Sequence, residues 1–174
     1  ISYIIEHPEK VVYALLTAND HTISFEYTGD VPEGFTAPVS VTKKTNEMVE
    51  LNTPTDIPAG YVFDGWYVGS QKIDGMTYTV PEVDDATITL TGRWHQEFTV
   101  TYKKDASSTG SDVKEVKVVK GSVYTAATCD WTAPAGKEFV HWVTADGKKV
   151  YKAGQSLGAI TGDVTLIAVF KNKD

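Results

Sequence analysis

The sequence predicts a mostly β chain built from two tandem modules with little helix, and three observations predict it. The stretch Gly60-Tyr61-Val62-Phe63-Asp64-Gly65-Trp66 returns one period later as Gly136-Lys137-Glu138-Phe139-Val140-His141-Trp142, each copy following Pro-Ala. A second landmark, an alternation of Thr with Val, Ile or Leu that ends on an aromatic ring, recurs at nearly the same spacing, Asp85 to Trp94 and then Asp163 to Phe170. Two anchors at one period define a repeat of supersecondary units. Outside an ambiguous start, no long window keeps the 3.6-residue apolar period of an amphipathic helix.

Each element follows in order. Lys10-Val11-Val12-Tyr13-Ala14-Leu15-Leu16-Thr17 reads as helix by its Ala and Leu or as strand by its Val and Tyr. Shifted by one period, Val11, Tyr13 and Leu15 fall on Ala86, Ile88 and Leu90, so residues 1–20 are expected to be the last strand of a preceding module or an N-terminal extension. The first module, 21–95, opens with Ile23-Ser24-Phe25-Glu26-Tyr27, whose strict alternation puts three apolar side chains on one face. Thr28 to Gly34 is a turn-rich loop. Short strands are expected at Pro38–Val41 and Asn46–Leu51, then a connection that Pro54 and Pro58 keep out of helix and central ladder. In the anchor strand, Phe63 and Trp66 cannot share a face of a regular strand. Gly65 is expected to permit a bulge that brings both rings to the core. His141 stands at that position in the second copy, which must either bulge without glycine or do without. Strands at Met76–Val80 and Ala86–Trp94 close the module.

The second module, 96–174, repeats the order. It has strands at Phe98–Tyr102, Val113–Val119, Phe139–Val143 and Val164–Phe170, and Asp146-Gly147 marks a hairpin turn. With Ile23, Phe25 and Tyr27 set on Phe98, Val100 and Tyr102, His21 and His95 become nearly equivalent module starts. The modules join at Trp94–Phe98 with almost no linker, which predicts a stiff joint and an elongated particle.

Composition narrows the function. The 174 residues are 41% hydrophobic and 22% charged, which is globular rather than disordered. Modules of roughly 75 residues sit near the lower end of what folds on its own core, so tryptophan is expected to serve burial. The net charge of −7 divides unevenly: residues 1–95 carry 5 basic and 14 acidic groups, the remainder 11 and 9. Lysines interleaved with acids and valines, as in Val113-Lys114-Glu115-Val116-Lys117-Val118, read as a solvated strand face, so no nucleic-acid partner is expected. No apolar run is long enough to insert in a membrane. The chain begins at Ile1 without Met or a leader, and is expected to be a fragment of a longer protein.

No catalytic set, metal site or cofactor is expected. Cys129 is the one cysteine, which excludes an intrachain disulfide, and it reads as a small core or loop residue. His7, His21, His95 and His141 are scattered. The acidic turn Glu82, Asp84, Asp85 lacks the regular spacing of a calcium loop. Trp131 has no counterpart in the first module, where Thr55 stands, and is the candidate exposed aromatic for ligand contact. Lysines on the second module's strands leave room for a Lys–Asp/Asn isopeptide crosslink.

Gly60 to Tyr67, a hydrophilic spacer and Thr87-Ile88-Thr89-Leu90-Thr91-Gly92-Arg93-Trp94 resemble the signature of the Listeria-Bacteroides repeat, the internalin B-repeat type. The resemblance covers 21–95 well and 96–171 less well, because Lys137, His141 and Phe170 replace the motif's tyrosine, glycine and final tryptophan. Phe25 to Pro32 is also similar to relatives in stalks of Gram-positive adhesins. The resemblance implies a compact β-grasp-like (ubiquitin-like) unit strung in tandem on a secreted, wall-attached bacterial protein. It carries structural anchors, here Gly60, Phe63, Gly65, Trp66, Trp94, Gly136, Phe139, Trp142 and Phe170. The function expected is a non-catalytic spacer or stalk, adhesion-related, with neighbouring modules as partners. The alternative is a binding module for a host protein, through a strand edge, or for a glycan.

Overall fold

The computed structural model describes residues 18–174, so the expected strand within residues 1–17 lies outside the described residues. Thirteen strands follow in order among them: β1 (Asp20–Gly29), β2 (Val41–Lys44), β3 (Met48–Glu50), β4 (Tyr61–Val68), β5 (Gln71–Lys72), β6 (Thr77–Thr79), β7 (Thr87–Lys103), β8 (Val113–Val119), β9 (Val123–Thr125), β10 (Lys137–Thr144), β11 (Val150–Tyr151), β12 (Ser156–Ala159) and β13 (Val164–Asn172). The helical content of the described residues is one 3₁₀ turn, Gly110–Asp112.

The chain divides into two compact units: residues up to Thr55 with Phe63–Trp94, and Asp56–Val62 with His95–Asp174. In the first, the sheet order is β2-β1-β7-β4-β5, with β3 and β6 paired apart from it. In the second it is β8-β7-β13-β10-β11, with β9 and β12 paired apart. Each central pair is parallel, β1 with the start of β7 and the end of β7 with β13. Each outer hairpin strand pairs antiparallel to its module's first strand, β2 to β1 and β8 to β7. A parallel pair needs a long crossover, and nearly the whole of each module is that crossover.

Three expectations change. The two strands expected on either side of a seam at Trp94–Phe98 are a single strand, Thr87–Lys103. Its alternation lapses over residues 95–99, which are all half-buried, but Ile88, Leu90 and Trp94 before the seam and Val100 and Tyr102 after it are buried in one phase, and no turn intervenes. The second strand is Val41–Lys44 rather than Pro38–Val41: Val41 pairs with Ile23, and Pro38, with no N–H to donate, stays outside the ladder. The equivalence of His21 with His95 also fails. Asp20 pairs with Lys44 where Glu97 pairs with Val119, and this register sets His21 on Phe98 and Ile23 on Val100. Moving Ile23 from Phe98 to Val100 is a slip of two residues, which leaves every side chain on its own face, so alternation alone could not detect it.

Each unit has its own core. Ile23, Val49, Leu51, Trp66, Val80, Ile88 and Leu90 form one; Val100, Tyr102, Val118, Ala126, Trp142, Ile160, Leu166 and Ala168 form the other. Turn for turn the backbone is tied alike: Val80 N–H donates to Glu47 O and Ile160 N–H to Ser122 O, while Leu51 N–H donates to Met76 O and Ala126 N–H to Gln155 O.

Candidate functional site

The repeated anchors are built from the backbone outward. Gly60 (φ +85°) and Gly136 (φ +74°) take the left-handed turn that follows each Pro-Ala, a conformation glycine adopts without steric cost. Both hold the same bonds: Tyr61 N–H donates to Pro58 O and Lys137 N–H to Pro134 O, while Glu97 N–H donates to Gly60 O at 2.7 Å and Lys173 N–H to Gly136 O at 2.9 Å. The following tryptophan is buried and donates its indole N–H to a loop carbonyl, Trp66 to Asn52 O at 3.0 Å and Trp142 to Ala127 O at 2.8 Å.

Phe63 and Trp66 do reach one core, with ring centroids 5.6 Å apart, and Gly65 between them has φ +121°. In the second copy the register shifts between Phe139 and His141, so that strand bulges without glycine, and His141 keeps a negative φ. Phe139 and Trp142 still meet at 5.0 Å. Trp94 is buried against Tyr27, Phe35 and Phe63, its indole N–H without a partner. At the matching place Phe170, a ring with no N–H, packs edge-on to Phe139.

Two further glycines act as anchors, Gly92 within the quoted signature and Gly29 outside it. A Cβ on Gly92 would lie 2.7 Å from the Tyr27 ring and 2.8 Å from Phe63, so that glycine makes room for the aromatic cluster. A Cβ on Gly29 would lie 2.0 Å from Trp94 O. Such close approaches are a tertiary property and leave only an isolated Gly within a strand pattern as a signal.

Trp131 is not the exposed ring expected of it. It is half-buried against the second core, edge-on to Trp142 at 6.1 Å, with its N–H donated to Ser111 O at 3.2 Å. Lys114 lies 5.5 Å from its ring centroid and pairs with Asp130 at 3.0 Å. Cys129 packs against the same core, and burial pushes its thiol pKa up. The neighbouring polar loop satisfies itself: Asp105 N–H donates to Ser108 Oγ, and Ser107 donates its N–H and hydroxyl to Asp105 Oδ1. Those serine bonds hold the Asp105 carboxyl below its usual range.

Two of the three described histidines, His21 and His95, serve as struts. His21 is buried, its Nδ1–H donating to Asp85 O at 2.7 Å and its Nε2 3.0 Å from Thr45 Oγ1. His95 Nε2 lies 3.0 Å from Glu97 Oε1. Among the described residues no three His, Cys, Asp or Glu side chains gather as a metal site. No helix among them is long and apolar enough to cross a membrane. The lysine–carboxylate pairs of the second unit are solvated, with Lys114 about half exposed, unlike the dry setting that keeps a lysine neutral for crosslinking.

The second unit carries an open depression of about 540 Å³ bordered by Tyr151, Leu157, Ile160, Asp146, Lys149 and Asp163. Its carboxylates serve the backbone: Asp163 Oδ1 accepts Thr99 N–H at 2.8 Å and Asp146 Oδ1 accepts Lys148 N–H at 3.0 Å. The first unit has one of about 370 Å³ beside Phe63, Trp66 and Lys72.

Two all-β units with the same strand order, the same glycine turns and the same tryptophan-to-carbonyl bonds define a tandem-repeat protein. The chain belongs to the Listeria-Bacteroides repeat domain family, which matches residues 21–91 and again 98–169. The second match begins at Phe98, in agreement with the register that sets His21 on it. Among solved structures the chain is similar to domains 3-4 of the Streptococcal High Identity Repeats in Tandem (SHIRT) type from a cell surface protein. The identity is 13% over 88% of this chain and 98% of that one, with a TM-score of 0.31. No curated protein matches.

Proposed function

We propose that this chain is a non-catalytic spacer segment of a bacterial cell-surface protein, whose modules hold a distal part of that protein away from the wall. The observation that carries the reading is where the distinctive side chains are spent. Trp66, Trp94 and Trp142 are buried, Trp131 and Cys129 pack on the second core, and the polar loop beside them bonds to itself. Family membership supports a structural repeat.

We read each module as β-grasp-like. The sheet order β2-β1-β7-β4-β5, with its central pair parallel, supports this, and the β3/β6 ribbon occupies the crossover. The elongated arrangement, the extracellular location and the adhesion-related role belong to the same proposal.

A binding role through the free edge of β8 is the second reading. That strand pairs only with β7 among the described residues and leaves Val116 and Val119 partly exposed. Lys114 and Lys117 sit on it, a usual device against edge pairing. Small-angle scattering on the chain tests the spacer reading, with an extended particle expected. A compact particle, or a clear hit on a glycan or host-protein array, would overturn it.

A further inference from the structure

In each module the strand by which the chain enters and the strand by which it leaves are parallel neighbours. The entry point and the exit point therefore lie at opposite ends of one ladder. Tension along the chain slides these strands past each other and loads all the rungs together, whereas tension applied at one end opens rungs one at a time. Because the two strands are adjacent, any rupture by pulling on the module's ends has to break this ladder. Its length sets how much must fail at once.

The two ladders differ. In the first module β1 pairs with β7 over eight positions, Thr22 with Thr87 through Gly29 with Trp94. Asp30 N–H adds a bond to Trp94 O at 3.2 Å just past the last pair. Side chains cross-link the same two strands: Ser24 Oγ meets Thr89 Oγ1 at 2.9 Å, and Thr91 Oγ1 donates to Glu26 Oε1 at 2.9 Å. In the second module β7 pairs with β13 over four positions, Val164 with Val100 through Ile167 with Lys103. The chain then leaves the ladder for the loop that Lys104 N–H closes on Asp112 O. At the near end, Thr99 N–H is held by the Asp163 carboxylate rather than by a backbone rung. Burial does not separate the two ladders, since Ile23 and Leu90 in one, and Val100 and Leu166 in the other, are all fully buried.

We infer that the modules are unequal load-bearing elements arranged in series, the second yielding first under tension and the first holding. The inference rests on the spacer reading for its purpose and on the two ladders for its content. The first module to open would lengthen the chain and relieve the load on the other, so the pair acts as a graded extension device. Forced rupture is governed by the unfolding barrier rather than by equilibrium stability. The order can therefore hold even where the two modules are equally stable.

The test is single-molecule force spectroscopy on the whole chain held at its two ends, with a ten-residue Gly-Ser insert between Gly147 and Lys148 to mark the second module. The insert lies in an exposed hairpin turn. It adds about 35 Å to that module's release, from 3.3–3.6 Å per extended residue. The marked event is expected first and at the lower force. A handle moved to Glu33→Cys, in a Cys129→Ala background, loads the first module at one end of its ladder, and the order should invert. The unmarked event first in the native geometry, a random order, or no inversion on moving the handle would overturn the inference. Any of these with an extended particle in scattering leaves the spacer reading standing. A compact particle overturns that reading whatever the order of rupture.

Discussion

Replacing Trp142 by Phe tests whether the repeated tryptophan is a structural pin. The indole is 1% exposed and meets Tyr102 at 4.7 Å and Phe139 at 5.0 Å. Phenylalanine keeps a ring but removes the rest of the bicycle. A partial large-to-small change of this kind in a core costs about 1–2 kcal/mol, well short of the ~3–5 for full truncation to Ala. The lost N–H also leaves Ala127 O without its donor at 2.8 Å, which costs about 1–2 kcal/mol more for a buried acceptor. The expected loss is thus about 2–4 kcal/mol, against a stability of about 4–11 kcal/mol for a module of this size at ~0.05–0.15 per residue. Native-state amide exchange reads it by module: protection along β10 should fall by that amount while β4 keeps its own. A loss below about 1 kcal/mol in β10 would refute the pin, and an equal loss in β4 would refute the independence of the two cores.

Gly29→Ala should destabilise the first module by more than about 2 kcal/mol, because the residue sits at φ +87° and its Cβ would stand 2.0 Å from Trp94 O. Gly34→Ala, at φ +85° with open space around it, should cost only about 1 kcal/mol, and chemical denaturation of the pair separates strain from collision. Burial, and then the Tyr124 hydroxyl at 3.1 Å, push the Tyr102 phenol well above its ordinary value near 10. A raised folded-state pKa means stability fully present below pH 10 and lost as pH rises beyond it. Amide exchange or melting between pH 8 and pH 11 should show the second module weakening, with the alkaline slope flattened in Tyr102→Phe.

Much of this protein was legible as sequence because it is periodic. Strand alternation, the Pro-Ala-Gly turn and the two anchor tryptophans are local patterns, and their recurrence marked two modules without any knowledge of pairing. Trp131 was misjudged for a related reason. A residue without a repeat partner looks free, yet its ring packs on Trp142 and its N–H bonds Ser111 O, twenty positions back. Neither contact is visible along the chain. Gly92 and Gly29 likewise read as ordinary glycines until the Tyr27 ring and Trp94 O came against them.

By itself, then, the sequence determined the class of fold, the number of modules and the family they mark, since these depend on side-chain period and on turn chemistry within short windows. The tertiary structure decided the rest. It matched Ile23 to Val100 rather than to Phe98, because a two-residue slip preserves every face. It joined two expected strands into Thr87–Lys103, because no turn interrupts the chain there and the buried side chains before and after the seam keep one phase. It also set eight ladder positions in one module against four in the other, because strand pairing over more than sixty residues is settled where the chain closes on itself and leaves no trace in local sequence.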